Sequence, residues 1–200
     1  MGGLLKSVDL ALGPPVWDIV LFMKRYIVGL LVAAALGVAQ EKKEVEKLAP
    51  YYPTPETIVQ KMLELGKLKA GERHFDLGSG DGRVVIMAAS KFGAIATGIE
   101  FDNDLWKQST QKIKNLGLDG KARIIQGDIM AQDYSSADVV TVYLLPSSND
   151  KVRPLLEKQL KRGTRIVSHD FEFSGWTAEK VEHVDDDGEG RSHTLYLYRR

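Results

Sequence analysis

Three glycines alternate with polar residues behind an aspartate in the segment Asp76-Leu-Gly-Ser-Gly-Asp-Gly82, directly after a short apolar stretch. This order predicts a strand that ends in a carboxylate and breaks into a glycine-rich turn before a helix. Open α/β sheets use that arrangement to hold a nucleoside at the carboxyl ends of their strands. Gly78 and Gly80 would let a ligand approach the main chain, because a Cβ there would intrude. Asp76 would meet a cationic group, and Asp81 suits helix capping and ligand contact equally.

The glycine spacing restricts the kind of nucleoside. It is G-x-G-x-G, whereas a dinucleotide fingerprint is G-x-G-x-x-G. A pyrophosphate binds at a helix N-terminus, where flanking carboxylates would oppose it. We therefore expect a ligand with a cationic head and no phosphate. S-adenosylmethionine, which carries an ammonium and a sulfonium, fits that description better than a nicotinamide cofactor does.

Further candidate ligand contacts follow the next two predicted strands. Glu100 ends the segment Gly98-Ile-Glu100, at the position where acidic residues of nucleoside-binding sheets accept the ribose hydroxyls. Phe101 would border the adenine. Asp128 follows the third strand and would accept the adenine amino group, with Ile129 packed on the ring.

Strands and helices alternate through about Ser168, and two β-type segments flank a turn-rich stretch near the end. This order predicts an α/β fold, a Rossmann-like, doubly wound, mostly parallel seven-stranded sheet with a C-terminal antiparallel hairpin. The apolar run Ala137 to Leu145 predicts a central strand buried on both faces. Thr54 and Pro55 predict the start of the first helix of the domain, with Thr54 as its cap.

An apolar segment precedes the predicted domain. Residues 26–39 carry no charge and follow Lys24 and Arg25, and a charged stretch leads from them to the domain. We divide the chain into an N-terminal targeting or anchor segment with its linker, residues 1–49, and a domain of residues 50–200. The apolar run is short for a spanning helix, which needs about 20 residues. A cleaved export signal, an uncleaved anchor and an organelle-targeting segment all remain open, and so does a start at Met23. A buried core helix fits less well, because the charged stretch separates the run from the domain.

The overall composition excludes several other partners. Basic and acidic residues number 27 each, so no global field attracts nucleic acid, and we expect none to bind. The absence of cysteine excludes disulfides and thiolate metal sites. The histidines show no metal-ligand spacing, so the sequence predicts no metal site and ordinary surface or strand roles for them. They are His74, His169, His183 and His193.

The glycine turn, the acidic end of the second strand and Gly127-Asp128 together resemble the signatures of class I S-adenosylmethionine-dependent methyltransferases. Within that class, the chain more closely resembles the small mitochondrial protein-lysine methyltransferases of the ATP synthase c-subunit and the adenine nucleotide translocase, with their prokaryotic relatives. The match covers roughly residues 50–200. The segments that carry it are Tyr52-Pro-Thr-Pro55, Val142-Tyr-Leu-Leu-Pro146, Arg153-Pro-Leu-Leu156, Arg165-Ile-Val-Ser-His-Asp-Phe171 and Trp176.

The resemblance implies S-adenosylmethionine as cofactor and methylation of a lysine nitrogen in a protein, such as a membrane protein. It implies cofactor contacts from the glycine turn, including Ser79, and from Thr54. Tyr143 stands where methyltransferases of planar nitrogens have Asn-Pro-Pro-Tyr, so Tyr143 would orient the acceptor. Methylation of a small molecule and a non-catalytic cofactor-binding module are the alternatives. We expect a monomer, attached to a membrane or targeted by its N-terminus, with the domain on a side supplied with cofactor.

A lysine acceptor must lose its proton before transfer, and an apolar mouth would favour the neutral amine. We expect Tyr143, Phe171, Phe173 and Trp176 to form such a mouth, and Asp170 or Glu172 to guide the incoming ammonium.

Overall fold

The computed structural model describes residues 51–200, which contain four α-helices, one 3-10 turn and seven strands. Residues 1–50, with the predicted N-terminal segment and its boundary, lie outside this part. The elements in chain order are α1 (Glu56–Leu65), β1 (Arg73–Leu77), α2 (Arg83–Ser90), β2 (Ile95–Glu100), α3 (Asn103–Asn115), β3 (Ala122–Gln126), the 3-10 turn (Ile129–Ala131), β4 (Val139–Val142), α4 (Pro146–Gln159), β5 (Arg165–His169), β6 (Lys180–Val184) and β7 (His193–Arg199).

The seven strands form one sheet in the order β3-β2-β1-β4-β5-β7-β6. The first five pair in parallel, whereas β7 runs antiparallel to both β5 and β6. This confirms the predicted mostly parallel sheet with antiparallel C-terminal strands. The strand order reverses between β1 and β4, and open sheets bind ligands in the crevice beyond the carboxyl ends of such a pair.

Apolar side chains alternate between the two faces of the sheet. On one face, Leu77, Val140 and Val142 pack with Val152 and Leu156 of α4. On the other face, residues of α1, α2 and α3 pack against β2, β3 and β4. Burial on both sides explains why β4 is wholly apolar apart from one threonine.

Two local predictions are corrected. Strand β4 is shorter than the apolar run Ala137 to Leu145, so Tyr143 follows the strand end. The N-cap of α1 is Pro55 and makes no side-chain cap, so the prediction of Thr54 as a cap is wrong. Within residues 51–200, no helix has the length and apolar character needed to cross a membrane.

Candidate functional site

The glycine turn after β1 is fixed to β2 by main-chain hydrogen bonds. The amides of Gly78 and Ser79 both donate to the carbonyl of Ile99, at 3.0 and 2.9 Å. Gly98 makes this approach possible, because a Cβ there would lie 2.6 Å from the Ser79 Cβ. Gly80 has a φ of 53°, and a Cβ there would lie 2.7 Å from the ring of Tyr51. The turn therefore presents bare main chain to a narrow space.

Glu100 fastens the same turn with its side chain. Its Oε2 accepts the Gly80 amide at 2.7 Å, and its Oε1 accepts the Asp102 amide at 2.8 Å. The side chain lies at the end of β2 and is almost fully buried. Each carboxylate oxygen can accept more than one hydrogen bond, so both oxygens keep capacity for a ligand hydroxyl.

Asp76 is the second buried carboxylate of the crevice. Its Oδ1 accepts the Thr141 hydroxyl at 2.6 Å, and Thr141 Oγ1 lies 2.9 Å from His74 Nε2. Burial raises the pKa of Asp76 to about 7; the Thr141 hydrogen bond opposes this rise and the Glu100 charge adds to it. Burial alone lowers the pKa of His74 to about 3, so its imidazole is neutral. A cationic ligand beside Asp76 would reverse the shift of its pKa.

Asp81 pairs with a neighbour in its own turn. Arg83 donates Nε to Asp81 Oδ1 and NH2 to Asp81 Oδ2, each at 2.9 Å. The Arg83 amide also donates to Oδ1 at 3.2 Å, so Asp81 satisfies the first amide of α2. Partial burial raises the pKa of Asp81, but the hydrogen bonds and charge of Arg83 outweigh burial and hold it below its ordinary value. The N-cap of α2 is Gly82, and the contact of Asp81 with a ligand stays a prediction.

Residues 51–57, here called the N-terminal strap, form one wall of the crevice. Thr54 Oγ1 lies 3.2 Å from His169 Nδ1, Arg191 donates to the Tyr52 hydroxyl at 3.2 Å, and Thr57 donates to the Asp187 carbonyl at 2.6 Å. Arg83 donates to the Thr54 carbonyl at 2.9 Å. The strap is thus tied both to the C-terminal strands and to the start of α2.

Tyr143 lies beyond the end of β4 at the other side of the crevice. Its ring stacks on His169 with 3.9 Å between centroids, and its hydroxyl donates to Asp170 Oδ2 at 3.3 Å. Burial and the Asp170 carboxylate raise the pKa of Tyr143 to about 12. The phenol is therefore neutral, and its oxygen is an acceptor on the crevice side.

The prediction of an aromatic mouth is wrong for Phe173 and Trp176. Phe173 is buried in the core against Tyr198, and Trp176 packs on both, with its indole donating to Glu157 at 2.7 Å. Phe171, in contrast, stacks with Tyr143 at 6.2 Å between centroids. Tyr51 and Tyr52 are exposed aromatics of the same cleft and were not among the predicted site residues.

These groups surround one cleft that is open to solvent. Ten of the eleven predicted site residues line it; they are Thr54, Asp76, Gly78, Ser79, Gly80, Asp81, Glu100, Phe101, Ile129 and Tyr143. Asp128 does not: it caps the 3-10 turn by accepting the Met130 amide at 2.7 Å. The lining residues that were not predicted are Tyr51, Tyr52, Pro53, Met62, Arg83, Val84, Leu105 and Leu144.

All four histidines lie in strands, in agreement with the sequence prediction. Two of them are buried side by side, with His169 Nε2 and His193 Nδ1 2.9 Å apart. Asp170 and Asp187 surround the pair. Burial lowers the pKa of His169 to about 4, with the Asp170 charge opposing it, so this imidazole is neutral. Spacing along the chain carried no signal, because β7 brings residue 193 back beside residue 169.

The lining fits S-adenosylmethionine. Glu100 retains acceptor capacity for two ribose hydroxyls, and the buried Asp76 suits an ammonium. Ser79 Oγ is buried and has no hydrogen-bond partner among residues 51–200. The bare glycine turn between them admits a ligand where a Cβ would not fit. The sheet order, the glycine turn and the two strand-end carboxylates define a class I S-adenosylmethionine-dependent methyltransferase.

Comparisons with known proteins agree with this class. The model of the ANTKMT methyltransferase domain matches residues 76–180, and the chain belongs to that family. A protein-lysine N-methyltransferase of Saccharolobus islandicus is 43% identical over 150 residues, which cover 74% of this chain and 92% of that protein. The human lysine N-methyltransferase of the ATP synthase c-subunit is 28% identical over 132 residues, which cover 66% of this chain and 56% of the human protein.

A solved structure shows the same fold with a cofactor product bound. It is an RNA methyltransferase of Salinibacter ruber in complex with S-adenosyl-L-homocysteine, 44% identical, with a TM-score of 0.68 over 74% of this chain and 93% of that one. The cofactor of the family is S-adenosylmethionine, as predicted. The relatives' names differ in the acceptor, since one is a protein side chain and the other RNA.

Proposed function

We propose that this methyltransferase transfers the methyl group of S-adenosylmethionine to the side-chain nitrogen of lysine in a protein. The observation that carries the proposal is the charge of the cleft. Its lining contains three carboxylates, Asp76, Asp81 and Glu100, and, within the described residues, a single basic side chain, Arg83. That arginine is already paired with Asp81. Such a cleft attracts a cationic acceptor.

In this proposal, the carboxylates at the ends of β1 and β2 bind different parts of the cofactor. Glu100 accepts the ribose hydroxyls, and Asp76 accepts the ammonium of the methionine part. Phe101 and Ile129 border the adenine. Arg83 and Thr54, which face the same space, meet the methionine carboxylate. The bound cofactor supplies a methyl group on a sulfonium, which is an excellent leaving group, so the protein's contribution is alignment and exclusion of water.

The acceptor end is formed by Tyr143 and the two tyrosines of the strap. Tyr51 and Tyr52 are 44% and 54% exposed and offer aromatic faces to a lysine stem. The neutral phenol of Tyr143 directs its O–H at Asp170, so its oxygen accepts an N–H of the incoming nitrogen and orients the lone pair. An apolar surrounding favours the uncharged amine that the displacement requires.

RNA is a poor match to the same surface. Recognition of nucleic acid rests on Lys and Arg contacts to phosphates, and a negatively charged cleft works against them. Two of the relatives also carry names of lysine methyltransferases. The chain spans just over half of the human relative, so activity on an ATP synthase component is not carried over to it.

A blocked-lysine assay tests the acceptor. The full chain is incubated with methyl-labelled S-adenosylmethionine and a lysine-rich protein, either native or with its lysine amines acetylated beforehand. We expect label on lysine of the native protein and at least tenfold less on the blocked one. Equal label on both, or label on added RNA or small amines only, would contradict the proposal. Cofactor binding without any label would indicate a binding module.

Tyr143→Phe tests the acceptor end separately from the cofactor end. Removal of the hydroxyl takes away one oriented acceptor, so we expect kcat to fall about tenfold to a hundredfold. The affinity for S-adenosylhomocysteine should stay within threefold by calorimetry. A variant with full turnover would make Tyr143 a packing residue.

We also propose that residues 26–39 attach the protein to a membrane, with the domain on the side supplied with cofactor. Support comes from the sequence, an uncharged apolar run behind Lys24 and Arg25. The double variant Leu30→Glu, Leu31→Glu should release the full chain from sedimented vesicles while cofactor binding persists. Equal sedimentation of both proteins would sink this proposal.

A further inference from the structure

The carboxyl end of β5 and the start of β7 bring together three potential metal ligands. Taken in pairs, His169 Nε2 and His193 Nδ1 are 2.9 Å apart, His193 Nδ1 and Asp170 Oδ2 3.1 Å, and His169 Nε2 and Asp170 Oδ2 3.3 Å. These three atoms form a nearly equilateral triangle. Ligands about 2.0 to 2.2 Å from one ion are separated by about 3.0 to 3.5 Å, which is close to these distances.

From this triangle we propose that His169, Asp170 and His193 bind a divalent transition-metal ion, such as Zn²⁺, in a site built of two imidazoles and one carboxylate. Imidazole nitrogens favour such ions over Mg²⁺ and Ca²⁺, which prefer oxygen ligands. The site lies behind Tyr143, outside the cofactor-binding part of the cleft, and does not depend on the identity of the acceptor.

The outer contacts of the three groups match those of metal ligands. The far nitrogen of each imidazole faces an oxygen: His193 Nε2 lies 3.3 Å from Asp187 Oδ2, and His169 Nδ1 lies 3.2 Å from Thr54 Oγ1. Histidines that bind metals regularly donate their other N–H to such an oxygen, which fixes the tautomer and the ring orientation. Arg191 holds Asp187 in turn, at 2.8 Å.

Asp170 is held just as firmly. Its second oxygen, Oδ1, accepts the Thr194 amide at 3.0 Å, and its own amide donates to the Thr194 carbonyl at 2.7 Å. The residue has a φ of 58°, a left-handed conformation that a non-glycine residue adopts only when its surroundings impose it. Local contacts thus direct Oδ2 at the two imidazoles.

The electrostatics of the triangle call for a positive charge. With both outer nitrogens protonated, three lone pairs converge at one point and repel one another. A single proton lies well between only two of the three atoms and so removes one of the three repulsions. A cation at the centre of the triangle removes all three. An arrangement without an ion instead holds a proton inside the triangle, on Nε2 of His169 or on Nδ1 of His193. A bound ion excludes both of these protons, so it leaves the proton of His169 on Nδ1.

Metal titration of the full chain tests the site. Chelator-stripped protein is titrated with Zn²⁺ in competition with a chromophoric chelator at pH 7.5. We expect one equivalent with a dissociation constant near or below about 1 µM. His193→Gln should abolish that equivalent, and Asp187→Asn should weaken it 10-fold to 100-fold, since outer contacts carry about that much affinity. The matched control is His183→Gln, on the exposed histidine of β6, which should bind as the wild type does.

Two measurements on the wild-type chain keep the test valid if a variant misfolds. Co²⁺ should give the visible absorption of a nitrogen- and oxygen-ligated site. Because the chain has four histidines, nitrogen NMR resolves their tautomers, and Zn²⁺ should leave His169 protonated on Nδ1. Binding of less than a tenth of an equivalent, an Nε2–H tautomer of His169 in the presence of Zn²⁺, or equal loss in His183→Gln would overturn the proposal.

Discussion

The two halves of the cleft are assembled in different ways. The half at β1 and β2 takes its polar groups from the stretch 76–100, in which main-chain amides of the glycine turn donate to Ile99 and Glu100. The half at the end of β4 takes single side chains from Thr54 and Tyr143, which are far apart in sequence and are held from behind by His169 and Asp170. The first half is a turn with a fixed shape, whereas the second depends on the whole sheet.

Because of this difference, substitutions in the two halves should affect cofactor binding differently. In the first half, a substitution changes the local shape that receives the ligand, so binding should respond strongly. In the second half, a substitution removes one contact among several, and cofactor binding should survive it. Binding of S-adenosylhomocysteine, measured by calorimetry on variants of each half, tests this contrast.

Glu100→Gln should give the largest effect. The Gln amide group would set a donor against the amide of Gly80 or Asp102, and one acceptor for the ribose would be lost. We expect at least a hundredfold loss of affinity for S-adenosylhomocysteine by calorimetry. His193→Gln, behind the other half, should change the affinity by less than threefold. Similar losses in both variants would break the comparison.

Gly80→Ala should give the second largest effect, a loss of affinity for S-adenosylhomocysteine of roughly tenfold or more. The new Cβ would collide with the Tyr51 ring and narrow the cleft at the turn. Gly71→Ala is the matched control: it has a φ of 79°, but nothing lies within 4 Å of its new Cβ. Gly71→Ala should lower the free energy of unfolding but leave the affinity for S-adenosylhomocysteine unchanged. If both alanines weaken binding equally, strain rather than occupied space explains the loss.

The pH dependence of binding should follow Asp76. Its pKa of about 7 in the free protein means that acid protonates the group that receives the ligand ammonium. Binding should therefore tighten roughly tenfold as the pH rises from 5.5 to 7.5 and protons are released on binding. Methylthioadenosine, which lacks the ammonium, should show little of this dependence, and Asp76→Asn should remove it. A flat profile for the wild type would place the ammonium elsewhere.

Asp81→Asn should have the smallest effect. Its carboxylate is occupied by Arg83, and both side chains remain about a quarter exposed. We expect the affinity for S-adenosylhomocysteine to change by less than threefold. The free energy of unfolding, measured by urea titration, should fall by at most about 1 kcal/mol. A loss as large as that of Glu100→Gln would make Asp81 a direct cofactor ligand.

The first half of the cleft could be predicted from the sequence because its determinants are local. Strand periodicity, the glycine spacing and the acidic strand ends fix Asp76, Gly80 and Glu100 within one βαβ unit. Asp128 caps the 3-10 turn with Oδ1, because a side chain at a strand end can turn to the next element, and its contact with the adenine stays a prediction.

The second half could not be predicted because it rests on register and backbone conformation. Asp170 adopts a left-handed conformation and Phe173 lies in the core, and no apolar pattern of the sequence indicates either feature. The pairing of His169 with Leu195 across β5 and β7 places His193 beside Asp170. Thr54 does not cap α1 as predicted, because its hydroxyl lies against His169 instead.

The hydrogen bonds of the N-terminal strap have a consequence for biosynthesis. Its partners Asp187 and Arg191 follow it in the chain by 130 residues or more. A ribosome-bound chain therefore cannot close this wall of the crevice until the segment around residues 187–191 has left the exit tunnel. The wall should consequently form after the glycine turn, whose partners lie close to it in the chain, has already folded.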